Sequence, residues 1–360
     1  MDQALVEFLR SRGATDAEMA TAEREGMLTL LAIDRLLVPG SPYLDSDTVA
    51  ARSEVPNETA TMLWRALGFP DVPDGSPMFT DESVDVLRAL HFSTEASMFV
   101  DGDAEVLVAQ VRAVGSGLAR VAESMSDQIA EAIVAARLGG ADDATVARTV
   151  VDTLDWKLLA RMNDYALRVQ LRAAIWRKLL SPPLESGEIP SLAVGFVDLV
   201  GYTAISQELD GRELAALVSR FESVAYDTVA RLGARLVKTI GDEVMFVAED
   251  PEIALRVAHA LTERTGSDDV LPRARAGLAF GPALAREGDY YGAVVNLAHR
   301  LVEIARPSSS VVSAELAAVL ATQEVFRFHR LRPRKIRGIG RVEIYAARPV
   351  VAEESGRETH

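Results

Sequence analysis

The residues of this chain best suited to chemistry lie in its second half. Asp198 ends the apolar run 192–198 and is followed by Leu-Val-Gly-Tyr-Thr, a turn whose backbone amides can cradle a phosphate while the carboxylate holds a hard cation. Asp242 comes after Gly241 between two β-rich runs, so the tip of a hairpin presents a second carboxylate to solvent. Two aspartates on neighbouring strand ends are the minimum for a paired Mg²⁺ site on a triphosphate. Taken singly, each is equally an ordinary turn aspartate. A third segment lifts the pair above that reading. In VVNLAHRLV, residues 294–302, Asn296 and Arg300 stand four apart in a helical pattern and share one face. An arginine there can neutralise charge building on a pentavalent phosphorus, and an asparagine can hold a ribose in place for attack.

These side chains need strands to carry them, and the sequence after residue 190 supplies them. Strand-like runs at 192–198, 235–238, 244–248, 273–279 and 342–347 alternate with helical patterns. Along 211–232, Leu214, Leu217, Val218, Phe221, Val224 and Val229 line one face, as in a helix packed on a sheet. The alternation predicts an α+β domain. Residues 1–180 read differently, with apolar positions at three- and four-residue spacing throughout, and predict an all-helical domain. Val108, Val111, Val114, Leu118, Val121, Met125, Ile129 and Ile133 form one continuous stripe before Gly139-Gly140, and a second long helix is expected over 143–180. Packing inside a helical bundle is the favoured reading of both stripes, with a second chain as the alternative. Residues 181–190, SPPLESGEIP, are rich in helix breakers. They divide the chain into a helical domain at 1–180, a linker at 181–190, an α+β domain at 191–349 and a tail at 350–360.

Composition excludes several function classes. A net charge of −15 opposes general gripping of phosphate backbones, so any nucleotide must be met by a local site. With no cysteine, disulfide frameworks, zinc–thiolate sites and thiol catalysis are out, and the chain suits a reducing compartment. The apolar stretch 27–40 is interrupted by Asp34 and Arg35 and is too short to span a bilayer, and no secretory signal opens the sequence. A cytoplasmic protein without a membrane span is expected.

The region from about Pro190 to Pro349 resembles the catalytic domain of class III nucleotidyl cyclases. The resemblance is carried by FVDLVGYT (196–203), KTIGDEVMF (238–246) and DYYGAVVNLAHR (289–300), in that order. It implies a ferredoxin-like fold and assigns roles position by position. Asp198 and Asp242 match the metal-binding aspartates, which hold two Mg²⁺ or Mn²⁺ per active site. Phe196, Gly201 and Thr203 belong to the same substrate-binding segment as Asp198. Lys238 and Asp289 match the pair that reads the purine, Asn296 the ribose-orienting residue and Arg300 the transition-state arginine. Arg337, in IRGIG, stands where the family usually has a lysine on the terminal phosphates, and arginine supplies the same charge. The implied reaction converts ATP to 3′,5′-cyclic AMP and pyrophosphate.

The choice of base follows from hydrogen-bond chemistry. Adenine offers an acceptor at N1 and a donor at its 6-amino group, whereas guanine reverses the two. Lys238 only donates and Asp289 only accepts, so guanine would leave buried groups unsatisfied at a cost of roughly 1–3 kcal/mol each. Lys238 and Asp242 share one hairpin, yet the first should meet the purine and the second the metals near the phosphates. The family resolves this with a head-to-tail dimer, which implies a homodimer with two shared sites.

The first half contains a helix-turn-helix-like stretch at 46–68, extended at 79–88 as in MerR-like regulators. Its recognition-helix position carries Glu58, Thr59, Thr61 and Arg65, too little basic character for phosphate contacts, so a structural helical unit that binds no nucleic acid is expected. The arrangement resembles the helical regulatory domain ahead of some actinobacterial cyclases, certain of which respond to pH, and implies gating of the catalytic dimer. His299 is weighed as a proton sensor against a purely structural role, and the basic run 330–337 as a phosphate or interdomain contact against a solvated loop. Two rivals remain. IGDEV at 240–244 is near a diguanylate cyclase signature, but that family has no use for Asn296 and Arg300. A transcription regulator with an inactive cyclase-like domain is the alternative from another class.

Overall fold

The computed structural model describes residues 1–40, 42–71, 73, 75–95, 104–180 and 188–350. The chain divides into two compact units, Met1–Pro182 and Pro183–His360. Residues 181–187 of the expected linker and 351–360 of the expected tail lie outside the described residues.

The first unit is helical: α1 (Gln3–Ser11), α2 (Asp16–Glu25), α3 (Leu28–Leu37), α4 (Ser46–Ser53), α5 (Asn57–Ala66), α6 (Asp81–Glu95), α7 (Ala104–Leu138), α8 (Asp143–Thr153) and α9 (Trp156–Leu180). Side-chain caps explain many of the starts. Asp2, Asp45 and Asp142 each accept a first-turn N–H, and Thr15 and Glu18 close a reciprocal capping box. One core gathers Leu5, Leu9, Met19, Leu28 and Ala147 from α1, α2, α3 and α8. A second gathers Val49, Leu63, Leu87 and Val111 from α4, α5, α6 and the start of α7.

Two expectations are corrected here. The helix predicted over 143–180 is two helices, because the Asp155 carboxylate accepts the Leu158 N–H at 3.0 Å and so starts α9 afresh after an extended Leu154. The long stripes are packed inside the helical unit only in part, the second one at Val146, Ala147 and Val150 of α8. Val111 is buried, and Gly115 lets α7 touch the Leu67 backbone where a Cβ would overlap it, but Val114, Leu118 and Val121 are exposed. No residue of α9 is buried.

The second unit runs β1 (Ser191–Leu199), α10 (Tyr202–Glu208), α11 (Gly211–Arg231), β2 (Arg235–Ile240), β3 (Glu243–Ala248), α12 (Pro251–Gly266), β4 (Ala274–Pro282), β5 (Leu284–Arg286), β6 (Asp289–Tyr291), α13 (Ala293–Ile304), β7 (Ser310–Ser313), α14 (Ala314–Leu320), β8 (Phe326–Arg330), β9 (Arg334–Ile336), β10 (Gly340–Val342) and β11 (Ile344–Pro349). Its main sheet has the order β2-β3-β1-β4-β7-β11-β8. The segment β1-α11-β2-β3-α12-β4 with strand order 4-1-3-2 is the ferredoxin-like arrangement. Alternation along β1 divides the two cores: Ala193, Val197 and Leu199 face α11, α12 and α14, while Leu192, Val194 and Phe196 face α13. Glycines set the two closest approaches. A Cβ on Gly195 would enter the Phe246 ring, and one on Gly277 would overlap the backbone of Ala298 and Val302 in α13. Helix α13 therefore lies directly on β4.

Candidate active site

The register of β1 builds the acidic end of the site. Asp198 stands opposite Glu243 of β3 on one side and Arg275 of β4 on the other, on the same sheet face as Phe196 and α13. Arg275 donates from Nε and Nη2 to Asp198 Oδ2 at 2.9 and 2.7 Å. Its Nη1 donates to the Glu303 carbonyl at the end of α13 at 3.4 Å. Asp242 occupies the β2–β3 turn beside Gly241 at φ 62°, and its carbonyl accepts the Leu199 N–H at 3.2 Å, pinning the turn to the end of β1. Like charges crowd there. Burial, with the Asp198 charge adding, pushes the Asp242 carboxyl up to about 6. Burial, with the Asp198 and Asp242 charges adding, pushes Glu243 up to about 7. Among the described residues, no three His, Cys, Asp or Glu side chains form a metal cluster. Two crowded carboxylates instead suit a hard cation that takes its remaining ligands from phosphate oxygens and water.

Lys238 and Asp289 meet across a different edge. Lys238 pairs with Met245 after a register shift in β2, which puts it on the α13 side of the sheet, and its Nζ donates to Asp289 Oδ2 of β6 at 2.5 Å. The other Asp289 oxygen accepts the Tyr290 N–H at 2.8 Å. A donor-only and an acceptor-only group thus stand side by side within one chain.

Helix α13 carries the third group. Val294, Ala298, Leu301 and Val302 are buried against the sheet, and at about 100° per residue Asn296 and Arg300 fall on the opposite side. Both are exposed. Arg300 donates to Glu303 at 3.0 Å and lines an open, basic cavity of about 500 Å³ with Arg334, Lys335, Ile336 and Arg337. Arg337 is therefore brought to Arg300, and Glu303 lines the same cavity. Phe196 is buried and meets the His299 ring edge-on, with centroids 5.3 Å apart. His299 Nε2 lies 3.4 Å from Glu243 Oε2, so this histidine is built into the support of the acidic end. Gly201, at φ 81°, turns the chain from β1 into α10, where Thr203 is exposed.

Sequence reasoning missed Arg275 and Glu243. The signal for Arg275 was a charged residue inside the strand-like run 273–279. Its partner becomes visible only through the β1–β4 register.

Comparison with known proteins divides the chain at nearly the same place. The family described as Adenylate cyclase regulatory domain matches residues 2–175, and the Adenylate and Guanylate cyclase catalytic domain matches 184–348. An adenylate cyclase of Streptomyces coelicolor is 37% identical over 273 residues, which are 75% of this chain and 70% of the relative. A pH-sensitive adenylate cyclase of Mycobacterium tuberculosis is 30% identical over 355 residues, 96% of this chain and 87% of its own. Among solved structures, the catalytic core of a rhodopsin-guanylyl cyclase with converted specificity, in complex with ATPαS, is 22% identical. It covers 46% of this chain and 99% of its own, with a TM-score of 0.43.

The acidic end predicts a pH signature. Glu243 is raised from its ordinary 4.5 to about 7, so the folded state holds this proton more tightly than the unfolded state. The associated stability is present below pH 4.5 and is lost as pH rises through about 7. In metal-free buffer, Glu243→Gln raises the melting temperature at pH 8 by about 2–4 °C and leaves it almost unchanged at pH 4.5. A shift of equal size at both pH values, measured by calorimetry, contradicts the assignment.

Proposed function

Because the chain belongs to the adenylate cyclase family that joins a helical regulatory domain to a class III catalytic domain, we propose that two copies, paired head to tail, complete each other's active sites. The reaction is in-line attack of the ribose 3′-oxygen on the α-phosphorus of ATP. A bond forms between them, the bond to pyrophosphate breaks, the hydroxyl proton passes to water, and no side chain becomes a covalent nucleophile. Asp198 and Asp242 of one copy hold the divalent cations, Mg²⁺ or Mn²⁺, two per site. When bound, these cations favour the 3′-alkoxide and screen the charge of the departing pyrophosphate. Arg275 holds the Asp198 carboxylate in place through its Nε and Nη2. The partner copy supplies Lys238 and Asp289 to the adenine N1 and 6-amino group, Asn296 to the ribose, and Arg300 to the charge developing at phosphorus. Arg337, beside Arg300 in the same cavity, serves the terminal phosphates. Phe196, Gly201 and Thr203 shape the substrate end near Asp198.

The observation that carries this reading is the two-sidedness of α13. Its buried face rests on the sheet that carries Asp198, and Asn296 and Arg300 face the other way. Exposed apolar residues on α7 and α9, such as Leu118, Tyr165 and Trp176, offer further surface for the second copy.

The first half is read as a regulatory domain at 1–180, joined through the linker 181–190 to a catalytic domain at 191–349, and it gates closure of the catalytic dimer. It is not read as a DNA reader. Arg65, the basic residue of α5, is paired with both oxygens of Asp71 at 2.7 and 2.8 Å, and the helix carries no second cation to add to it. Among the described residues no helix is long and apolar enough to cross a membrane, and a cytoplasmic location is proposed from the absence of cysteine.

Shared sites are tested by mixing inactive variants. Asp198→Ala and Arg300→Ala, each reduced by about 100-fold or more, regain up to about one quarter of wild-type activity in an equimolar mixture, the fraction expected when one of two sites is rebuilt in a statistical half of the dimers. No recovery in demonstrated heterodimers refutes the arrangement. Gating is tested by comparing the full chain with residues 190–360 across pH 5–8. Both should respond to pH through the carboxyl of Asp242, but the full chain should follow a profile of different shape, and superimposable profiles remove the helical half from any such role.

A further inference from the structure

The hairpin that carries Asp289 is poorly anchored for the task assigned to it. Strands β5 and β6 have three residues each, form a sheet of their own and are joined by Glu287 and Gly288, both at positive φ. A lone two-stranded hairpin is marginal in water. Its outer residues Leu284 and Tyr291 are 48% and 52% exposed, outside every core. Yet Asp289 must hold its carboxylate in a fixed place if it is to tell a 6-amino donor from a 6-oxo acceptor.

The missing support comes from Arg235, at the start of β2 and three residues before Lys238. Its Nη1 donates to the Tyr290 hydroxyl at 3.1 Å, its Nη2 donates to the Gly288 carbonyl at 3.4 Å, and its guanidinium lies 5.6 Å from the Tyr290 ring centroid. Gly288 and Tyr290 are the two neighbours of Asp289. One short stretch of β2 therefore holds the chain on both sides of Asp289 through Arg235 and meets its carboxylate through Lys238. We propose that the Arg235–Tyr290 clamp is a specificity-determining device, in which Arg235 is a positioning residue that fixes Asp289 for adenine and so sets the preference for ATP over GTP. This inference rests on the reading of Lys238 and Asp289 as the purine pair. Arg235 itself touches no reacting atom; it acts through the hairpin.

Because Arg235 is exposed and Tyr290 only borders a core, removing the guanidinium should disturb recognition more than folding. The experiment measures kcat and KM for ATP and for GTP, together with the melting temperature, on the full chain and on Arg235→Ala, Arg235→Lys, Tyr290→Phe and Asp289→Asn. The expected result is that Arg235→Ala lowers the ATP-to-GTP ratio of kcat/KM by about 10-fold, mostly through a higher KM for ATP, with melting changed by no more than about 2 °C. Arg235→Lys, which keeps the charge over the ring, recovers most of the ratio. Tyr290→Phe, which loses one hydrogen bond, falls between Arg235→Ala and the unsubstituted protein. If Asp289→Asn lowers the ratio while Arg235→Ala stays within about twofold of the unsubstituted protein, the clamp is wrong and the purine pair stands. If Asp289→Asn also leaves the ratio unchanged, the purine reading fails and takes the clamp with it. Equal loss on both nucleotides with lowered melting makes Arg235 merely structural and overturns the proposal.

Discussion

The catalytic unit depends on how closely α13 lies against β4. Gly277 has no side chain, so the helix backbone at Ala298 and Val302 comes down onto the strand, and Val294, Ala298 and Val302 fill the face between them. Such a contact leaves the helix no rotational freedom. Its outer face is therefore fixed as firmly as its inner one. Asn296 and Arg300 are presented outward on a rigid element, a better platform for phosphate chemistry than a loop. The same helix delivers His299 and the Glu303 carbonyl to the acidic end of the sheet.

Charge in the catalytic unit is gathered into two groups of opposite sign. Asp198, Asp242 and Glu243 gather at the end of β1 with Arg275 as their local counter-ion, while Arg300, Arg334, Lys335 and Arg337 gather around an open cavity. The chain's overall acidity does not exclude a local basic group, because these cationic side chains are concentrated in one place.

The candidate site residues stood out because they sit in short segments with strong local signals: a strand end before a glycine turn, a hairpin tip and a helix with polar residues four apart. The α+β class was legible in the alternation of apolar strands and helices, whereas the ferredoxin-like order came only with the family resemblance. Register was not. Arg275 and Glu243 become neighbours of Asp198 only after three strands are paired, and no sequence period announces that pairing. The three-residue strands β5, β6, β9 and β10 are too short to show any alternation, so the support of Asp289 was invisible. In the helical half, spacing gave the helices but not what covers them. An amphipathic stripe has one apolar side whether that side is buried, as at Val111, or exposed, as at Leu118. The break at Asp155 was missed because a single capping carboxylate outweighed a continuous apolar period.

The central claim is that one nucleotide is enclosed by residues of two chains. Its most direct test is specific activity as a function of protein concentration, with sedimentation used to measure the dimer fraction at each dilution. The account predicts that activity per chain falls in proportion to the dimer fraction and is recovered on reconcentration. Full activity per chain from a demonstrated monomer would contradict it.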